Sequence, residues 1–243
     1  MWMIARYLST SLFSLRPALA TASGAQSLLV PTAYAIKMAL ADVACRRYGA
    51  AAGAAWWPQI QALQVALDVP PVLVLNKTFI KIQRPTRLKK SDEQEVAAAK
   101  AEGVFPMGPT IAFREFVQFG GELGVALGGA ADLPLAELLP QINYFGKRGS
   151  FFQIQDLPAQ ADALDGRWTP ISQPSASFPR NGTLQVLDDC GPGLSWEHVN
   201  VFTTKSIGLG GKDRLLHTVV LPYELRRSSY RYTLYQRIAQ EEP

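Results

Sequence analysis

Proline and glycine interrupt this chain so often that long helices do not fit between them. The 17 prolines and 19 glycines in 243 residues divide it into short elements joined by turns, because proline lacks a backbone donor and glycine tolerates turn conformations. At 48% hydrophobic and 18% charged, the chain has material for a packed core and is too apolar for disorder. Its length suits one large domain, or one domain carrying a sizeable subdomain.

The breaks set the expected elements. Trp2–Leu15 is rich in strand formers and reads as a first strand. After Pro31, Ala33, Ile36, Leu40, Val43 and Ala44 recur at helical spacing, so Thr32–Tyr48 reads as a helix stopped by Gly49. Ala50–Ala55 reads as a small-residue turn, and Trp56–Leu67 as a second helix with Pro58 in its first turn. Beyond Pro70-Pro71, Val72–Leu75 is a short strand and Thr78–Gln83 alternates in the β manner. Arg84–Val104 is polar, with a small helical pattern at Asp92–Glu102 behind Ser91 as its cap. Strands from Thr110 to Val117 and at Leu123–Leu127 flank Gly120-Gly121, which predicts a hairpin. A helix at Leu133–Tyr144 and a strand at Phe151–Ile154 come next, then an irregular loop over 156–182. The last strands are expected at Thr183–Leu187, Val199–Thr203, Leu215–Pro222 and Tyr230–Tyr235. This order predicts an α+β fold with a mostly antiparallel sheet, of ferredoxin-like or RNA-recognition-motif type.

The net charge of +4 conceals a segregation. Residues 1–91 carry 11 basic and 2 acidic side chains, whereas residues 92–198 carry 6 and 14. No acid occurs between Asp68 and Asp92, yet Lys77, Lys81, Arg84, Arg87, Lys89 and Lys90 all fall there. Six cations without internal counter-charge repel one another, a cost that a polyanion offsets, and a phosphate backbone is the natural one. The competing reading is a solvated basic loop that touches nothing. Two further segments have related chemistry. Phe145-Gly146-Lys147-Arg148-Gly149-Ser150 places two cations between glycines, either for phosphate or as a helix stop answering the helix dipole. Ile207–Lys212, flanked by Lys205, Lys212 and Arg214, is either a phosphate-approaching turn or a plain hairpin turn. Towards the end, tyrosines from Tyr223 to Tyr235 interleave with Arg226, Arg227 and Arg231, as in base-stacking surfaces or a tyrosine-rich sheet face.

Catalytic chemistry is poorly supplied. His198 and His217 stand outside any metal-spaced cluster and read as structural. There is no GxSxG elbow, and Gly211-Lys212-Asp213 lacks the hydroxyl of a phosphate-binding P-loop. Asp188 and Asp189 are adjacent on an expected strand, so they point to opposite faces and do not share a metal easily. Neither a catalytic residue nor a metal or cofactor site is expected. Cys45 and Cys190 match no metal spacing and read as buried free thiols of a reducing compartment. No apolar run approaches the length of a bilayer span, so no membrane partner is expected. The acid-free start up to Lys37 resembles an organellar transit peptide, and Ala33-Tyr34-Ala35 a signal-peptidase site. We read the start instead as the first strand and expect a cytoplasmic protein.

These parts resemble a known family. The first strand leads through a small-residue loop to Val30-Pro31-Thr32 and a helix of small residues. A basic excursion follows, then Thr110-Ile111-Ala112-Phe113-Arg114-Glu115-Phe116 running on to Leu123–Leu127, and later Phe145–Ser150. The arrangement, carried by residues 1–155, resembles the Cas-Five family of repeat-associated RNA-binding proteins, the handle-capping subunits of CRISPR Cascade complexes. The resemblance implies a single domain over residues 1–243 with a ferredoxin-like core and a protruding basic thumb at 77–109, Arg114 lying at its base. It implies a non-catalytic subunit that grips the 5′ handle of the CRISPR RNA and caps the filament of backbone subunits. Contact with the large subunit is also implied, and contact with target DNA is left open. One branch of the family processes the precursor RNA, so a metal-independent endoribonuclease using His198 or His217 is the alternative.

Overall fold

The computed structural model describes residues 1–20, 26–85, 93–103, 107–129, 132–175 and 177–239, with side chains for all of these except Arg84 and Pro85. β1 (Trp2–Ser9) leads to α1 (Ala33–Tyr48) and α2 (Ala50–Ala62), and the chain returns as β2 (Gln64–Asp68). Next come β3 (Val72–Pro85), α3 (Glu93–Ala101), β4 (Met107–Phe119), β5 (Glu122–Gly128), α4 (Leu135–Leu138) and β6 (Phe152–Ile154). Short strands β7 (Ala159–Ala161) and β8 (Thr169–Pro170) precede β9 (Thr183–Cys190) and the single turn α5 (Trp196–Val199). β10 (Arg214–Leu221), β11 (Tyr223–Ser228) and β12 (Tyr232–Arg237) complete the chain.

Strand order identifies the core. The first sheet runs β6-β1-β5-β2-β8, with β7 also on β1, and all its pairs are antiparallel. With the β3–β4 excursion set aside, the chain reads β1-helices-β2-β5-helix-β6 with neighbours β6-β1-β5-β2, which is the ferredoxin-like arrangement. The predicted α+β class and antiparallel sheet therefore hold. A second sheet, β11-β12-β3-β4, stands beside the first, and β9 and β10 form a separate ribbon.

Local chemistry explains the helices. Thr32 caps α1 by accepting the Ala35 N–H at 3.1 Å, and Gly49 ends it at φ 87° while donating to the Cys45 carbonyl. The helix buries Ile36, Leu40 and Val43 in the core. Beneath it, Tyr7 is fully buried, donates to the Leu139 carbonyl at 2.9 Å, and meets Phe145 edge-on with ring centroids 5.1 Å apart. Among the described residues no helix is long and apolar enough to cross a membrane.

Four expectations about elements are corrected. The second helix starts at Ala50 and ends at Ala62, so Pro58 lies inside it, and Leu63–Leu67 belongs to β2 and its approach. Val65, Ala66 and Leu67 are all buried because β2 is a central strand, and a strand buried on both faces carries no period to tell it from a helix. Gly120-Gly121 does not close a hairpin. β4 pairs with β3 and β5 with β1 and β2, so the two glycines hand the chain from one sheet to the other. A Cβ at Gly121 would lie 2.7 Å from Pro71, which is why glycine serves at this crossing. The expected helix at Leu133–Tyr144 shrinks to α4 and a 3₁₀ turn over Leu139–Gln141. Val199–Thr203 forms no strand but the end of α5 and an exposed loop, since no strand among the described residues pairs with it.

An ion cluster joins the last strand to the core. Buried Asp68 accepts from Arg6 at 3.1 Å and from Arg237 at 2.6 Å, and Arg237 also donates to the Val69 and Arg167 carbonyls. Replacing Asp68 with alanine strands two partly exposed guanidiniums. It is expected to cost about 2–3 kcal/mol, below the roughly 3–5 kcal/mol of a fully buried broken pair. The urea midpoint of the D68A chain measures this directly.

Candidate nucleic-acid interface

The basic excursion is a two-stranded arm. β12 pairs with β3 only over Val72–Asn76, whereas β3 and β4 stay paired from Leu73↔Phe119 out to Pro85↔Met107. The stretch from Lys77↔Glu115 to Pro85↔Met107 thus extends past the third strand by about 27 Å, at roughly 3.4 Å per residue. Two strands alone are marginal in water, so such an arm gains from a partner.

Alternation sorts the arm's side chains onto two faces. One carries Lys77, Phe79, Lys81 and Gln83 on β3 opposite Glu115, Phe113, Ile111 and Pro109 on β4. Phe79 and Phe113 are 60% and 51% exposed, and their ring centroids lie 3.8 Å apart. Lys77 and Lys81 flank this pair along β3 and are both exposed. Lys77 stands 4.0 Å from Glu115, whose buried carboxylate also accepts the Ser27 N–H at 2.8 Å. The other face holds Thr78, Ile80 and Ile82 with Arg114, whose buried Nε has no hydrogen-bond partner among the described residues. The backbone of Arg84 belongs to the same alternation on β3, whereas Arg87, Lys89 and Lys90 lie outside the described residues. Of the cations predicted as one cluster, Lys77 and Lys81 are the two with described side chains, and they share one face.

The base of the arm adjoins the glycine loop. Ser14 donates its hydroxyl to the Glu115 carbonyl at 2.9 Å and its N–H to the Ser150 hydroxyl at 3.2 Å. Lys147 and Arg148 are exposed in a turn closed by the Tyr144↔Phe151 bridge, not at a helix end. Gly146, at φ 72°, passes so near Leu15 that a Cβ would lie 2.8 Å from it.

The remaining predicted cations lie elsewhere. Lys205 pairs with Glu197 at 3.1 Å, and Lys212 is exposed on the loop before β10. Arg214 is ion-paired with buried Asp188 and lies 4.1 Å over the Tyr34 ring. Asp189 points the other way, to Lys37 of α1 at 2.7 Å, as alternation on a strand requires. Burial pushes its carboxyl pKa up, against the pull of Lys37. His198 closes a capping box with Ser195, and His217 is buried on β10. Among the described residues no group of His, Cys, Asp or Glu is placed to hold a metal ion.

A groove of about 560 Å³ runs along α1 between the glycine loop and α5, lined in part by Arg148 and Arg214. Cys45 opens onto it, whereas Cys190 is buried and its thiol pKa is pushed up to about 12, chiefly by burial. Burial and then Asp42 raise Cys45 as well. Thiolates are the reactive form. Iodoacetamide at about pH 8 is therefore expected to label Cys45 slowly and Cys190 only in denaturant, as peptide mass mapping would show.

Phe79, Phe113 and Ile111 went unrecognised as interface residues in the sequence. Their β alternation was visible, but the register that sets Phe79 against Phe113 was not. No family model matches the sequence, and no curated protein does. Similar solved structures include two CRISPR proteins. One, described as a crystal structure of a CRISPR protein from Archaeoglobus fulgidus, has a TM-score of 0.44 and 12% identity, over 97% of this chain and 91% of that one. The other, from a CRISPR RNA-guided surveillance complex, has a TM-score of 0.48 and 15% identity, over 99% and 91%. The fold assignment rests on the strand order and not on these likenesses.

Proposed function

We propose that this protein is a non-catalytic RNA-binding subunit of a Cascade-type CRISPR surveillance complex. Its β3–β4 arm holds the 5′ handle of the guide RNA while the body caps the filament of backbone subunits and meets the large subunit. The observation that carries RNA binding is the exposed Phe79–Phe113 pair with Lys77 and Lys81 along the same face. Unstacked bases gain by lying on such rings while lysines neutralise the phosphates. The absence of any acid between Asp68 and Asp92 extends that positive field along the excursion. Lys147, next to the base of the arm, continues the phosphate path in this reading. Assignment to a Cascade complex draws on the sequence resemblance together with the ferredoxin-like core and its protruding arm. Neither histidine lies on the arm, and His198 is spent on a cap, so RNA cleavage forms no part of the reading.

The test replaces Lys81, Arg84, Arg87, Lys89 and Lys90 with alanine and measures guide RNA co-purifying with the assembled complex. Loss of the RNA with an unchanged circular dichroism spectrum is expected. Unaltered retention overturns the proposal.

A further inference from the structure

We infer that the groove along α1 is a docking site for an acidic, apolar segment of a partner protein. No residue of the arm lines the groove, although Arg148 shares the glycine loop with Lys147. The groove's floor is built from Ala35, Met38 and Ala39 on successive turns of α1, and Trp196 and Val199 form one wall. Both of its carboxylates are matched within the protein: Asp188 holds Arg214, which lies on Tyr34, and Asp42 holds Arg46 at 2.9 Å. The apolar surface also continues out of the groove. Val201 and Phe202, which line its rim, are 86% and 91% exposed. Exposed apolar surface joined to an apolar cavity fits the side chains of a partner segment, as in grooves that take peptide anchors.

Charge selects among such segments. Arg16 and Arg148 both line the groove, both are exposed, and no ion pair engages either among the described residues. Carboxylates on the incoming segment complement them, and a basic segment is repelled. A volume of about 560 Å³ lies within the roughly 300–1,000 Å³ of sites that bury a ligand.

The experiment uses the full chain and two synthetic peptides with the same leucines and phenylalanine, one carrying glutamates and the other lysines. Fluorescence anisotropy reports binding, and the alkylation rate of Cys45, which lines the groove, reports occupancy. The acidic peptide is expected to bind saturably and slow Cys45 alkylation several-fold, and the basic peptide to bind at least tenfold more weakly. Arg148→Glu should cost the acidic peptide at least tenfold, and Phe202→Ser several-fold. Both side chains are exposed, so these variants keep the fold. F79A and F113A should leave peptide binding unchanged, which separates this result from the fate of the RNA proposal. Four outcomes overturn the inference: no binding of the acidic peptide, equal binding of the two peptides, indifference to Arg148→Glu, or oligouridylate protecting Cys45 in the peptide's place.

Discussion

Replacing Phe79 and Phe113 together with alanine is expected to weaken binding of repeat-derived RNA roughly 30- to 150-fold. Stacking of a base on an aromatic side chain contributes about 1–3 kcal/mol, and about 1.4 kcal/mol is a factor of ten. The two rings lie 3.8 Å apart and act as one platform, so their losses do not simply add. Because both are more than half exposed, folding stability should change by only about 0.5 kcal/mol. Anisotropy titrations at fixed salt measure the affinity. Tyrosine at both positions should restore it, since tyrosine keeps the stacking face. The slope of log affinity against log salt should stay the same, as no charge is removed. Lys81→Ala, in contrast, should lower that slope by about 0.7, the effect of one phosphate contact on a single strand. An affinity within about threefold of the parent would remove the platform from the RNA path.

The largest loss of stability is expected at Lys37. This lysine is 2% exposed, pairs with Asp189 at 2.7 Å and donates to the Gln61 carbonyl at 2.9 Å, joining α1 to β9 and to the end of α2. Lys37→Met leaves Asp189 buried without its counter-charge, at a cost of about 3–5 kcal/mol. The cost depends on pH. Burial already raises the Asp189 pKa against the opposing Lys37 charge, so removing Lys37 raises it further. A folded-state pKa above the unfolded value gives stability that is complete below the unfolded value and is lost as pH rises through the folded one. The variant should therefore be closer to the parent at about pH 5 than at about pH 7.5 in urea melts. Combining Lys37→Met with Asp189→Leu should recover most of the loss, because an apolar pair of similar volume has no charge to desolvate.

Local signals reached some elements and missed others for identifiable reasons. Thr32 and Gly49 bracket α1 by capping chemistry that is complete within a few residues, so that helix was legible. The helical pattern at Asp92–Glu102 was legible too, as α3 over Glu93–Ala101, while Ser91, its expected cap, lies outside the described residues. β2 was not, because burial on both faces erased its alternation. The handover at Gly120-Gly121 looked like a hairpin because its residues suit a tight turn, while the partners of β4 and β5 are set by strands more than 20 residues away in sequence. The predicted cations were correctly read as a charge excess, but which of them stay free was invisible. Arg214 is held by Asp188, and Lys205 by Glu197, through contacts that no spacing rule encodes.

By itself the sequence determined the α+β class, the placing of α1, and the acid-free stretch from Lys77 to Lys90, because capping, periodicity and composition act over a few residues. Only the tertiary structure decided that this stretch begins as an arm, that Phe79 meets Phe113 along the same face as two lysines, and that Arg16 and Arg148 stand at one groove. Those outcomes depend on strand register and on long-range pairing, and a shift of one residue in register would turn every side chain of the arm to its other face.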